Sequence, residues 1–117
     1  MADGLSDPLA RARILRLRGP REAEQGDHEA AIATFEEARA VALEHADRYF
    51  EAQLREHLGK SALALERLDQ AAAHFERYLQ VIRETKDDRR QGETLSNLAK
   101  VAYKLGHLKV SRAQYER

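Results

Sequence analysis

The sequence predicts an all-α fold, an α-α superhelix (solenoid) of about three antiparallel helix pairs. Three observations predict it. Apolar residues recur at helical rather than alternating spacing. Caps and turn residues divide the chain into six such segments. The chain also matches itself when displaced by 40 residues. No alternating β-branched run occurs, and no Asn-Gly or Asp-Gly turn joins two strand-like runs.

The first helix opens at Ser6-Asp7-Pro8, a cap followed by proline at the first helical position. Leu9, Ile14, Leu15 and Leu17 form its apolar line. Gly19-Pro20 interrupts it. Proline has no amide to give the Arg16 carbonyl, so a bend or break is expected between Arg18 and Arg21. Gln25-Gly26-Asp27 closes this helix and caps the second, whose stripe runs Ala30, Ala31, Ile32, Phe35, Ala38, Val41 and Ala42. Asp47 caps a third, with Phe50, Leu54, Leu58, Ala62 and Leu65. A turn around Glu66 to Asp69 leads to a fourth, with Ala71, Ala72, Phe75, Tyr78, Leu79 and Ile82. After the polar junction Lys86-Asp87-Asp88, a fifth carries Leu95, Leu98, Ala99, Ala102 and Leu105. Gly106 is expected to end it, and a short sixth helix to start at Leu108.

The displacement aligns Gly19, Gly59 and Ala99; Ala31, Ala71 and Ser111; and Phe35, Phe75 and Tyr115. Two antiparallel helices approach closely only where small side chains face each other. Gly59 is therefore expected to lie against Ala71, and the aromatic to fill the space between one pair and the next. One pair cannot bury both faces, so pairs must stack.

This pattern resembles the tetratricopeptide repeat (TPR): Gly19, Ala31, Phe35, Ala38 in one unit, and Gly59, Ala71, Phe75, Tyr78 in the next. The longer period resembles the repeats of Pins/G-protein-signalling-modulator scaffolds and, less closely, kinesin light chains. Residues 1–7 read as an N-terminal tail and 8–117 as a single domain, with repeats at about 12–51, 52–91 and a truncated 92–117. Pro20 and Glu22 depart from the pattern and make the first helix an N-terminal cap.

The resemblance implies a protein–protein interaction module that takes a partner segment in a concave groove lined by the first helix of each unit. The implied groove positions are Arg13, Arg16, Leu17, Pro20, Ala23 and Glu24; Gln53, Glu56, His57, Lys60, Leu63 and Ala64; and Glu93, Ser96, Asn97, Lys100, Tyr103 and Lys104. Arg13, Arg16, Lys60, Lys100 and Lys104 outweigh Glu24, Glu56 and Glu93, so the groove is mildly basic and suits an acidic peptide. Lys60 and Lys100 hold one position in successive units, where the resembled scaffolds carry Asn. Pro20 replaces the Asn of a carboxylate clamp, and Glu56 would repel the carboxylate.

A self-associating module, or a fragment of a larger scaffold or regulator, is the second reading. The last unit stops short, and Leu95, Leu98, Val101, Leu108, Val110 and Tyr115 would supply apolar contact to a homodimer. A small-ligand sensor is a third reading, weakened because polar residues do not converge.

Composition narrows the function classes. At 117 residues the chain has the length of one domain, too short for an enzyme with a separate cofactor domain. Lys+Arg and Asp+Glu are both 20, which disfavours a nucleic-acid binder. Without cysteine there is neither thiol catalysis nor a thiolate metal site. His28, His45, His57, His74 and His107 form no metal-binding pair. Gly26-Asp27-His28 and Leu105-Gly106-His107 are turns rather than phosphate loops. Ser61 and Ser96 lie mid-helix, and Glu36-Glu37 and Asp87-Asp88 read as a solvated face and a cap. No catalytic residue, metal, cofactor, nucleic-acid or membrane partner is expected. No apolar run approaches a membrane span and no signal peptide is read, so the expected location is cytoplasmic.

Overall fold

The computed structural model describes the backbone of residues 7–115 and the side chains of 7–107. Within them lie α1 (Pro8–Glu24), α2 (His28–Glu44), α3 (Arg48–Ala64), α4 (Leu68–Ile82), a 3₁₀ turn (Arg83–Thr85) and α5 (Asp88–Tyr115). No strand occurs among the described residues. Each helix packs chiefly on its neighbours in sequence, as a stack of hairpins requires.

The turns share one design. Aspartates at 7, 27, 47 and 87 accept from the amides of Leu9, Ala30, Phe50 and Arg90, at 3.0, 3.2, 3.1 and 3.0 Å. These bonds satisfy donors that a helix start leaves unpaired. Each turn also contains one left-handed residue: Gly26 (φ 83), Ala46 (φ 52), Glu66 (φ 60) and Lys86 (φ 60). The amides of Asp27, Asp47 and Arg67 reach back to the carbonyls of Glu22, Ala42 and Ala62, each at 2.9 Å, closing Schellman-type ends. Arg67 supplies no side-chain cap.

The core follows the apolar stripes. Ala12, Leu15, Phe35, Ala38, Leu54 and Leu58 join α1, α2 and α3. Phe75 is fully buried with Ala62, Leu68, Ala71 and Val101, joining α3, α4 and α5. Each aromatic also closes on a glycine of the preceding helix. A Cβ on Gly19 would sit 2.3 Å from Phe35 Cε1, and one on Gly59 would sit 2.8 Å from Phe75 Cε1. The partner of Gly59 at closest range is thus the ring of Phe75. Ala71, the expected partner, is one turn away in the same cluster. A ring set against bare backbone fills the space that a side chain at this position would otherwise take.

Two expectations about helix limits are corrected. α1 runs unbroken through Pro20. Gly19 lacks the Cβ that would collide with the proline ring, so the loss of the proline's own amide bond does not break the helix. α5 runs unbroken through Gly106 to Tyr115, so no separate sixth helix starts at Leu108.

The sequence reading also missed a buried charge cluster. Glu51, 5% exposed, accepts from Arg39 Nε at 3.0 Å and from Arg55 Nε at 2.8 Å. Arg39 also binds Glu36 at 3.1 Å, and Arg55 approaches His74 Nδ1 at 3.4 Å. Burial pushes the Glu51 carboxyl up, but the two guanidiniums outweigh it and hold its pKa below the usual value.

Candidate functional site

Three hollows join along the starts of α3 and α5. The first, about 310 Å³, lies between α1 and α3 and is lined by Leu9, Arg13, Arg16, Asp47, Tyr49, Phe50 and Gln53. Tyr49 and Gln53 carry on into a second of about 280 Å³, floored by Ala52, Tyr78, Val81 and Ile82. Asp87 and Arg90 connect that to a third of about 370 Å³, lined by Glu56, Lys60, Arg89 and Glu93. The result is a trough, aromatic at one end and charged at the other.

Helix capping positions its walls. Leu9, Tyr49 and Arg89 each stand just after a capping aspartate, on the first turn of α1, α3 and α5. The fixed N-terminal turn therefore repeats one outward position with three different side chains.

The cations of the trough are not equivalent. Arg13 and Arg16 have no carboxylate within ion-pair distance among the described residues. The Arg16 guanidinium instead lies 5.7 Å from the centre of the Phe50 ring. Lys60 pairs loosely with Glu56 at 4.0 Å, Arg89 with Glu93 at 3.1 Å, and Arg90 with Asp87 at 3.3 Å. Such exposed pairs contribute about 1 kcal/mol or less, so a bound anion can displace them. Arg90 also donates to the hydroxyl of the buried Tyr78 at 3.3 Å, and burial pushes that phenol's pKa up.

The structure gathers some of the expected groove residues and disperses others. Arg13, Arg16 and Gln53 share one hollow, and Lys60 lines another. His57 is half-buried and stacks on Phe35, with ring centres 4.9 Å apart, so it belongs to the packing of α2 on α3. Burial pushes its pKa down. Lys100 is exposed further along α5 and does not line the hollow that holds Lys60. Asn97 is half-buried. Tyr103 is 77% exposed and stacks on His107. Lys104 is engaged by Glu66 at 2.5 Å.

Sequence reasoning passed over Tyr49, Arg89 and Arg90, and read Phe50 only as part of an apolar stripe. The signal that finds them is the capping aspartate two or three residues earlier. Among the residues expected to self-associate, Leu95 is 49% exposed and Leu98 half-buried against α4. Val101, expected to offer apolar contact to a second copy, is 1% exposed because the α4 core closes over it. Leu108, Val110 and Tyr115 lie outside the residues whose side chains are described. Among the described residues, no group of metal-binding side chains occurs and no helix is long and apolar enough to cross a membrane.

A family model described as tetratricopeptide repeat matches residues 50–117, more than half of the chain. No curated protein is significantly similar to it.

Proposed function

Because the chain belongs to the tetratricopeptide repeat family, whose members are generally protein–protein interaction modules, we propose that its trough binds an extended acidic segment of a partner protein. The observation that carries this is the hollow between α1 and α3. There Arg13 and Arg16 stand without a carboxylate beside Tyr49, which is 55% exposed, and the half-buried Phe50. Two unpaired guanidiniums over aromatic surface suit a peptide carboxylate next to an apolar side chain. The exchangeable pairs of Lys60, Arg89 and Arg90 extend the acidic preference along the trough. The module is non-catalytic in this reading, and Lys60 is a secondary contact, since Glu56 competes for it.

The test is fluorescence anisotropy with a labelled peptide library that varies acidic and aromatic content. Acidic peptides carrying one aromatic residue are expected to bind best, and more weakly as salt screens the charges. Arg13→Glu/Arg16→Glu should weaken binding roughly tenfold or more, as loss of charge-assisted contacts implies. Lys60→Glu/Lys100→Glu should weaken it less. Equal binding of neutral peptides, or no effect of the arginine reversal, would overturn the reading.

A further inference from the structure

A displacement of 40 residues lays α1 on α3, and the same step again lays it on α5. Ala10, Ile14, Leu17 and Arg21 then coincide with Phe50, Leu54, His57 and Ser61, and with Arg90, Thr94, Asn97 and Val101. Such positions share one helix face. In α3 that face is covered by α2: Leu54 is fully buried with Phe35 and Ala38, and His57 stacks on Phe35. In α5 it is covered by α4: Thr94 is buried, and Val101 packs with Ala71 and Phe75. In α1 it points away from the buried line of Ala12, Leu15 and Gly19. Ile14 is 50% and Leu17 70% exposed, and among the described residues no helix covers them. Leu17, expected to face the groove, lines none of the three hollows of the trough.

Charge surrounds this stripe. α1 carries five arginines against two glutamates. Arg21 continues the stripe by one turn and has no carboxylate within ion-pair distance among the described residues. Arg18, on its flank, reaches Glu22 only at 3.6 Å. These two stand where α3 has Leu58 and Ser61. Two copies of α1 laid face to face would bring the guanidiniums together, which like-charge repulsion opposes. A helix that lies in a lipid surface buries a broad apolar face, whereas the large apolar side chains here are Ile14 and Leu17 alone. A second helix with acidic flanks matches both the narrow stripe and the charges.

We propose that this face docks an acidic, amphipathic helix of a partner protein, laid against α1 as α2 lies against α3. The partner's apolar ridge seats on Ile14 and Leu17, the small Ala10 lets it approach closely, and its carboxylates pair with Arg18 and Arg21. Arg13 and Arg16 turn instead to the hollow between α1 and α3, so this contact does not rest on the acidic-segment reading of the trough.

The probe is a labelled peptide as long as α1, 17 residues, stapled into a helix, with leucines along one face and glutamates on both flanks. The same peptide with lysines for glutamates is the control. Fluorescence anisotropy should show saturable binding of the glutamate peptide, roughly tenfold or more tighter than the control and weaker as salt rises. Ile14→Asp/Leu17→Asp should weaken it roughly tenfold or more, and Leu17→Ala less. Arg18→Glu/Arg21→Glu should reverse the preference in favour of the lysine peptide. Circular dichroism checks that each variant keeps the helix content of the parent. Failure of the glutamate peptide to bind would overturn the proposal. So would binding lost with Arg13→Glu/Arg16→Glu but kept with Ile14→Asp/Leu17→Asp, which places the peptide in the trough. A parent protein that sediments as a dimer until Leu17 is replaced would give the face to a second copy instead. Phosphatidylserine vesicles that capture the parent but not Ile14→Asp/Leu17→Asp would give it to a membrane, and either result overturns the proposal.

Discussion

Replacing Gly19 by alanine should destabilise the protein, although alanine is the better helix former. Gly19 lies inside α1 with Phe35 across from it. The added Cβ would meet three ring atoms at 2.3, 2.5 and 2.8 Å. Ordinary carbon–carbon contact begins near 3.5 Å, so the ring must retreat by roughly 1 Å. It has little room to do so. Phe35 is 1% exposed and backed by the His57 ring at 4.9 Å. Overpacking a filled site costs about 1–3 kcal/mol, and the tight distances place this case near the upper end. The helix-propensity gain of about 1 kcal/mol offsets part of it. The net loss is about 2 kcal/mol, or a fall in Tm of about 8 °C. Gly92 in α5 is the internal control, since a Cβ there meets nothing within 4 Å. Gly92→Ala should raise Tm by about 4 °C, because only the propensity gain remains. Thermal melts by circular dichroism on both variants decide the matter. Equal signs for the two substitutions, or a Gly19→Ala protein as stable as the parent, would refute the reasoning.

Phe75→Ala should cost about 3–5 kcal/mol, because the ring is wholly buried and its cavity would lie between three helices; urea unfolding measures this. Acid should weaken the protein in two steps. Burial holds His57 and His74 below their ordinary 6.5, so the stability they contribute is complete above that pH and is lost as pH falls through their lower folded values. Glu51 is held below 4.5, so its contribution is complete above 4.5 and is lost as pH falls further. Urea titrations from pH 8 to 3 should show both steps, with His57→Gln/His74→Gln removing the upper and Glu51→Gln the lower. A profile unchanged by either substitution would contradict these assignments.

Elements whose cause is local were legible in the sequence. Asp7-Pro8, Gln25-Gly26-Asp27 and Asp47 fixed the helix starts because a cap acts within one turn. Phe35 and Phe75 stood out because a repeated aromatic needs a repeated place to go. The α3–α4 turn was legible even without glycine, since the apolar stripe changes phase there; Glu66 then accepts the left-handed conformation. The misses are tertiary or competitive. The Glu51 cluster depends on arginines from two helices meeting one buried carboxylate, which periodicity does not reveal. Gly106 is a turn signal that the structure overrides, since α5 runs on through it to Tyr115. The groove positions assigned by resemblance placed Arg13 and Arg16 together, but gave no sign that Lys104 would turn to Glu66 or His57 to Phe35.

Helices that touch chiefly their neighbours in sequence have a consequence for how the chain folds and yields. Low sequence separation between contacting residues lets one hairpin close before the others exist, which favours fast folding from several starting points. Pulled from its ends, such a stack peels helix by helix rather than failing at once. Resistance along that path rests on the apolar packing between successive helices, to which the exposed ion pairs that skip a helix add about 1 kcal/mol or less each. Arg67 to Glu29 at 3.0 Å and Lys104 to Glu66 at 2.5 Å tie an interhelical turn to a helix further along the stack, like stitches along a hem.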